Sequence, residues 1–146
     1  MDWRATTNQT AQADLDQLLA DSIQAAATGL SHQNLTPFML VIDTLGRRNM
    51  RALSASATLD GIEAVAAALR RDGDADRLRA RATVADVTVR APFAGDAINV
   101  RLEHRDGPAI DILVPYYTTA HGITVDTEAS TAAVGDALLW PAVPPE

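Results

Sequence analysis

Side chains able to move a proton or hold a metal crowd one stretch of the chain: Glu103, His104, Asp111, Tyr116, Tyr117 and His121. An imidazole beside a phenol or a second imidazole can serve as a general base in a cleft. Alternation along a strand puts His104 on the face of Leu102 and Tyr116 on the face of Val114, with Glu103 and Asp111 on the other. His104 is therefore the candidate base, and Tyr116 or His121 its candidate partner. The competing use is structural, with His104 closing an apolar layer beside a turn and the tyrosines setting a phenol at the rim of a core. No nucleophile–base spacing accompanies the cluster, so catalysis is not the expectation. His104, His121 and either Asp106 or Asp111 offer ligand types that suit zinc or manganese. Their spacing matches no ligand motif, and neither a metal nor a cofactor is expected.

Other chemistry is excluded more firmly. His104-Arg105-Asp106 spells the catalytic-loop tripeptide of protein kinases, but the downstream asparagine, the glycine-rich loop and the Asp-Phe-Gly segment are missing. Lysine is absent, so no Walker loop exists, and no Gly-x-Ser-x-Gly elbow presents a serine. The chain has no cysteine, which removes disulfides, thiolate nucleophiles and cysteine-held metals. Arg47, Arg48 and Arg51 form the tightest cationic cluster and are the candidate contact for an anion or an acidic protein. The alternative is that they pair with the acidic C-terminal segment of the same chain or simply solvate a hairpin.

Charge is distributed in blocks. Residues 1–43 sum to −4, residues 44–105 to +3 and residues 106–146 to −6, within a net charge of −7. Such acidity repels nucleic acid and anionic membranes, and neither is an expected partner. The chain of 146 residues, 47% hydrophobic and 21% charged, is long enough for a core without metal or disulfide staples, and a single domain spanning 1–146 is expected. Met1-Asp2-Trp3-Arg4 opens no apolar run of the signal-peptide kind, and no stretch is apolar enough to cross a bilayer. A cytoplasmic protein is the expectation, with residues 1–10 and 141–146 as loose tails.

The apolar period identifies the elements that must position these residues. Leu15, Leu18, Leu19, Ile23, Ala26, Ala27 and Leu30 have helical spacing, with Asp14 and Asp16 near the expected N-terminal turn. Phe38 to Ile42 is a continuous apolar run bounded by Pro37 and by Asp43-Thr44-Leu45-Gly46, and residues 50–54 can return beside it as a hairpin. Asp60-Gly61-Ile62-Glu63 predicts the start of a second helix through Leu69. The apolar set Leu78, Ala80, Ala82, Val84 then changes phase to Ala85, Val87, Val89, which predicts a bulge or break near Val84-Ala85. In the last hairpin, a three-residue loop of Arg105-Asp106-Gly107 sets Leu102 opposite Ile110, Val100 opposite Ile112 and Ile98 opposite Val114, with Gly107 left-handed in a bulge. Ile123 with Val125, and Ala137 to Trp140, are candidate short strands. The expected class is α+β, an antiparallel sheet of about five strands with two helices in the order α-β-β-α-β-β-β plus short C-terminal strands.

That order resembles the roadblock and profilin-like small domains, and Leu40-Val41-Ile42-Asp43-Thr44-Leu45-Gly46 is similar to the strand and turn with which roadblock domains open. The resemblance implies a docking or regulatory platform that dimerises. With no catalytic signature, a non-enzymatic interaction module is expected, its partner a second copy or another protein, joined through a sheet edge or a helix face. The alternative is a small-ligand pocket between sheet and first helix, lined by His104, Tyr116, Tyr117, Phe38 and Met39.

Overall fold

The computed structural model describes residues 3, 7–31, 37–52, 74–90, 93–135 and 139–140, with backbone alone at 51–52 and 74–75. The expected second helix and the segment 141–146 lie outside the described residues.

Helix α1 spans Gln9–Ser31. It starts where the Asn8 side chain accepts the Ala11 N–H at 2.9 Å, satisfying one of the donors that a helix leaves open at its beginning. Asn8 also donates to the Asp106 carbonyl at 3.1 Å, so the cap is tied to the turn after residue 104. The helix therefore begins a full turn earlier than its acids suggest. Asp14 is not a dipole-compensating residue of the first turn; it belongs to the buried stripe Ala11, Asp14, Leu15, Leu18, Ser22 and Ala26. Trp3, in the segment expected to be a loose tail, is buried in the same core.

The strands are β1 (Phe38–Asp43), β2 (Arg48–Ala52), β3 (Leu78–Val89), β4 (Gly95–His104), β5 (Ala109–Thr119), β6 (Gly122–Val125) and β7 (Thr131–Val134). Their order is β2-β1-β3-β4-β5-β6, with β7 also on β5, and every pairing is antiparallel. The α+β class with an antiparallel sheet is as expected. Among the described residues the sheet has seven strands rather than about five because the segment after Tyr117 turns back twice onto β5; the candidate strand at Ile123 and Val125 is β6, whereas Leu139-Trp140 of the other candidate lies in a bend. Tyr116–Thr119 pairs with β6 and Ile110–Leu113 with β7. Thr131-Ala132-Ala133-Val134 lacks the bulky alternation that marks a strand, and only its pairing with β5 makes it one.

The hairpin β4–β5 has the register that its apolar residues demand: Leu102 faces Ile110, Val100 faces Ile112 and Ile98 faces Val114. These residues share one side and pack beneath α1 with Ala80, Ala82, Val84, Phe38 and Ile42. The loop is Arg105-Asp106-Gly107, closed by the His104 N–H donating to the Pro108 carbonyl at 3.3 Å. Gly107 is not left-handed, since positive φ is confined to Gly46, Gly95 and Gly122 among the described glycines. Its requirement is close approach instead. A Cβ there would lie 3.2 Å from the Ala11 Cβ and 3.3 Å from the His104 Cβ, because the start of α1 presses on the turn.

Strand β3 corrects a second expectation. It pairs with β4 without interruption from Ala80↔His104 to Val89↔Gly95, so there is no break at Val84-Ala85. The apolar phase changes there because the helix-facing side continues as Asp86 and Thr88, which are exposed, while Ala85, Val87 and Val89 are half-buried on the other side. The irregularity lies earlier. Against β1 the register passes from Ile42↔Ala80 to Asp43↔Leu78, which leaves Arg79 as an extra residue. A bulge re-aims the side chain it carries.

Candidate functional site

The bulge turns Arg79 toward α1, where its Nη2 donates to Asp14 Oδ1 at 2.9 Å. The other oxygen, Asp14 Oδ2, is 2.9 Å from His104 Nε2. The backbone N–H of Asp106 donates to His104 Nδ1 at 3.0 Å, which places the ring proton on Nε2 and makes that nitrogen the donor to Asp14. Both ring nitrogens are thus committed within the fold, to a carboxylate on the helix and to the turn. This imidazole fastens helix, strand end and turn together, with no nitrogen turned toward a cleft. Asp14 carries a signal that sequence reasoning passed over: it is an acid on an otherwise apolar helical stripe. Asp14→Ala strands the Arg79 guanidinium and the His104 N–H, and should cost about 2–3 kcal/mol, read from urea midpoints. Asp14→Asn, which keeps an acceptor, should cost less.

The opposite face of the sheet holds a second polar constellation. Arg81 and Glu103 stand on adjacent strands, facing each other in the β3–β4 ladder. Their side chains are each only 2% exposed, with Arg81 Nη2 at 3.0 Å and Nε at 3.1 Å from Glu103 Oε1. Arg81 Nη1 donates to Thr83 Oγ1 at 2.8 Å. Burial pushes the Arg81 guanidinium below its usual range, and the Glu103 charge and hydrogen bond oppose that shift. Glu103 also accepts the Leu139 N–H, at 3.0 Å to Oε1, and the Trp140 N–H, at 2.8 Å to Oε2. Leu139 is buried, and the Arg105 guanidinium lies 5.7 Å from the centre of the Trp140 ring. Beside this group Asn99 donates to the Ile112 carbonyl at 3.2 Å and to Asp111, and accepts from Arg101 at 3.1 Å.

The residues expected to line one pocket are not brought together. Phe38, His104 and Tyr116 lie on the helix-facing side, whereas Met39 and Tyr117 lie on the other, as alternation along β1 and β5 requires. His104 and Tyr116 themselves sit at opposite ends of the sheet. The Tyr116 hydroxyl donates to Asp86 Oδ1 at 2.6 Å, and its ionisation is pushed up, first by burial and then by that hydrogen bond. Tyr117 is exposed. His121 lies in the β5–β6 turn, at the far end of β5 from His104, a strand length on the order of 30 Å. Among the described residues no three histidine, aspartate or glutamate side chains gather as a metal site would need.

A cavity of about 610 Å³ lies instead at the β1–β2 turn, lined by Val41, Asp43, Thr44, Leu45, Arg47, Arg48, Asn49, Arg77 and Leu78. Arg47 and Arg48 of the predicted cationic cluster line it, while the Arg51 side chain lies outside the described residues. Arg47 pairs with Asp43 at 2.7 Å and Arg48 with Asp21 at 2.8 Å, acids of the same hairpin and of α1 rather than of the C-terminal segment expected as the alternative. Backbone donation from Arg47 leads the interactions that hold the Asp43 carboxyl below its usual range. Arg77, which composition did not single out, joins the cavity wall.

Among the described residues no helix is long and apolar enough to cross a membrane. Comparison with protein-family models, with curated proteins and with solved structures gives no match, so the roles assigned to these side chains rest on their geometry.

Proposed function

We propose that this chain is a non-enzymatic interaction module that associates with a second copy of itself through the β2 edge of its sheet. The observation that carries this reading is the state of that edge. Among the described residues β2 pairs with β1 alone. It presents Met50, 55% exposed, next to Leu45 at the hairpin tip, 75% exposed. An edge strand with apolar side chains at its surface is a template for pairing with another chain. The charge of Arg48 on the same strand limits indiscriminate pairing. In an antiparallel match centred on Met50, Arg48 falls opposite Ala52 and Asn49 opposite Arg51, so no two arginines stand directly across from one another. The commitment of both His104 nitrogens supports the non-enzymatic half of the reading. Sedimentation or light scattering at high micromolar concentration should report a dimer, and Met50→Glu should return it to a monomer. A wild-type chain that stays monomeric there refutes the association.

A second reading, favoured by the cavity at the β1–β2 turn, is a contact for an anionic small molecule. Its volume falls in the usual range for ligand sites, and it combines an apolar floor of Val41 and Leu78 with Arg47, Arg48 and Arg77. A thermal-shift screen of carboxylates and phosphates should then find stabilising compounds, about 2.7 kcal/mol at a hundred times the dissociation constant. The effect should weaken with salt and vanish in Arg77→Glu. A screen without shifts removes this reading and leaves the first intact.

A further inference from the structure

We propose that the sheet face around Glu103 is a peptide-docking site, that Leu139-Trp140 is its resident occupant, and that a bent segment bearing an aliphatic–aromatic pair on another molecule binds there by displacing it. The site is distinct from the β2 edge, from which β4 is separated by β1 and β3.

The geometry around the carboxylate makes the case. Along a regular strand, successive N–H groups point to opposite sides. Here the N–H groups of two consecutive residues converge on one carboxylate, at 3.0 and 2.8 Å, in a bend that belongs to no strand. Neighbouring backbone N–H groups turned the same way form an anion-binding concavity, and in this site the sheet supplies the anion while the segment supplies the concavity. Arg81 fixes the orientation of the carboxylate through two contacts on Oε1. The recognition is therefore of backbone shape first, since any two residues except proline could donate in this way.

Side chains add selectivity. Leu139 is buried and Trp140 lies against the Arg105 guanidinium, so the pair that fits is an aliphatic residue followed by an aromatic one. Among the described residues Leu139 and Trp140 are held by side-chain and carboxylate contacts, whereas the backbone pairing of the chain end on β5 runs through β7 to the Gly135 N–H on the Ala109 carbonyl. A segment without ladder hydrogen bonds belongs to the part of a fold that opens locally at low cost. A tethered occupant competes as an internal ligand at an effective concentration on the order of millimolar, so an outside peptide gains access chiefly when the resident is weakened.

The test uses the full chain carrying Leu139→Pro and Trp140→Ala, in which the resident can neither donate the first N–H nor stack on Arg105. A fluorescent peptide with the sequence of residues 135–146 should bind this variant at least tenfold more tightly than it binds the wild-type chain, as read by anisotropy. The same peptide N-methylated at its Leu139 and Trp140 amides should not bind, and Glu103→Ala in the variant should abolish binding. If the peptide fails to bind a variant that still unfolds cooperatively, or binds equally well when N-methylated, the proposal is wrong. Should the variant not fold, the wild-type chain decides. A millimolar peptide with phenylalanine in place of Trp140 should displace the resident and red-shift the protein's tryptophan emission, and an unchanged spectrum overturns the proposal. A chain that binds the peptide yet stays monomeric loses only the edge association, and a dimer that ignores the peptide loses only the docking site.

Discussion

Glu103→Ala should destabilise the chain by about 3–5 kcal/mol, a large part of the 5–15 kcal/mol that holds a typical domain together. The size of the effect follows from what is left behind. Arg81 would remain as a guanidinium with a 2% exposed side chain and no carboxylate beside it, and taking one partner from a buried pair costs far more than the pair itself contributes. The N–H groups of Leu139 and Trp140 would also lose their acceptor. Two further variants separate these losses. Arg81→Met with Glu103→Leu removes both charges and should recover much of the deficit. It cannot restore an acceptor to the two backbone donors, so about 1–3 kcal/mol should remain outstanding. Urea unfolding of the three variants measures the partition, and a Glu103→Ala chain within 1 kcal/mol of wild type would mean that the pair is solvated.

How much of this was legible in the sequence depends on whether the signal was local. The β4–β5 register could be read because one pattern of branched residues on each arm admits a single loop length that puts both on the same side. The start of α1 could not, because Asn8 caps the helix from a polar stretch that looks like a tail. Nor could the bulge at Arg79, since the carboxylate it meets, Asp14, is distant in sequence and no local break in periodicity marks it. The phase change at Val84-Ala85 was a real feature with the wrong cause. The side of β3 that faces the helix turns polar at Asp86 and Thr88, while the backbone continues undisturbed. The candidate residues divide in the same way. Glu103, His104, Tyr116 and Tyr117 were identified by type, and alternation correctly separated Glu103 from His104. Their partners Arg81, Asp14, Asp86 and Leu139 lie between 22 and 90 residues away in sequence, and only the fold brings them near. Phe38 and Met39 cannot wall one pocket, because consecutive strand residues face opposite ways.

Leu102→Ala is expected to cost about 2–5 kcal/mol, because the side chain is fully buried in the layer beneath α1 and its removal leaves a cavity that neighbours on a continuous sheet cannot close. The variant also tests the hairpin register through its cross-strand partner. Leu102 stands directly opposite Ile110, so Ile110→Ala alone should be similarly costly, and the double variant should cost measurably less than the sum of the two. Leu102 paired instead with a distant core residue such as Leu18 should give costs nearer to additive, since the helix contributes a different wall of the layer. The comparison bears on function as well as on fold. Glu103 and His104 follow Leu102 on the same strand, and the register that seats Leu102 against Ile110 is what points His104 toward Asp14 and Glu103 toward Leu139 and Trp140. If the hairpin slipped by one residue, the two polar side chains would exchange faces, and the imidazole would lose its helix partner just as the carboxylate lost its guanidinium.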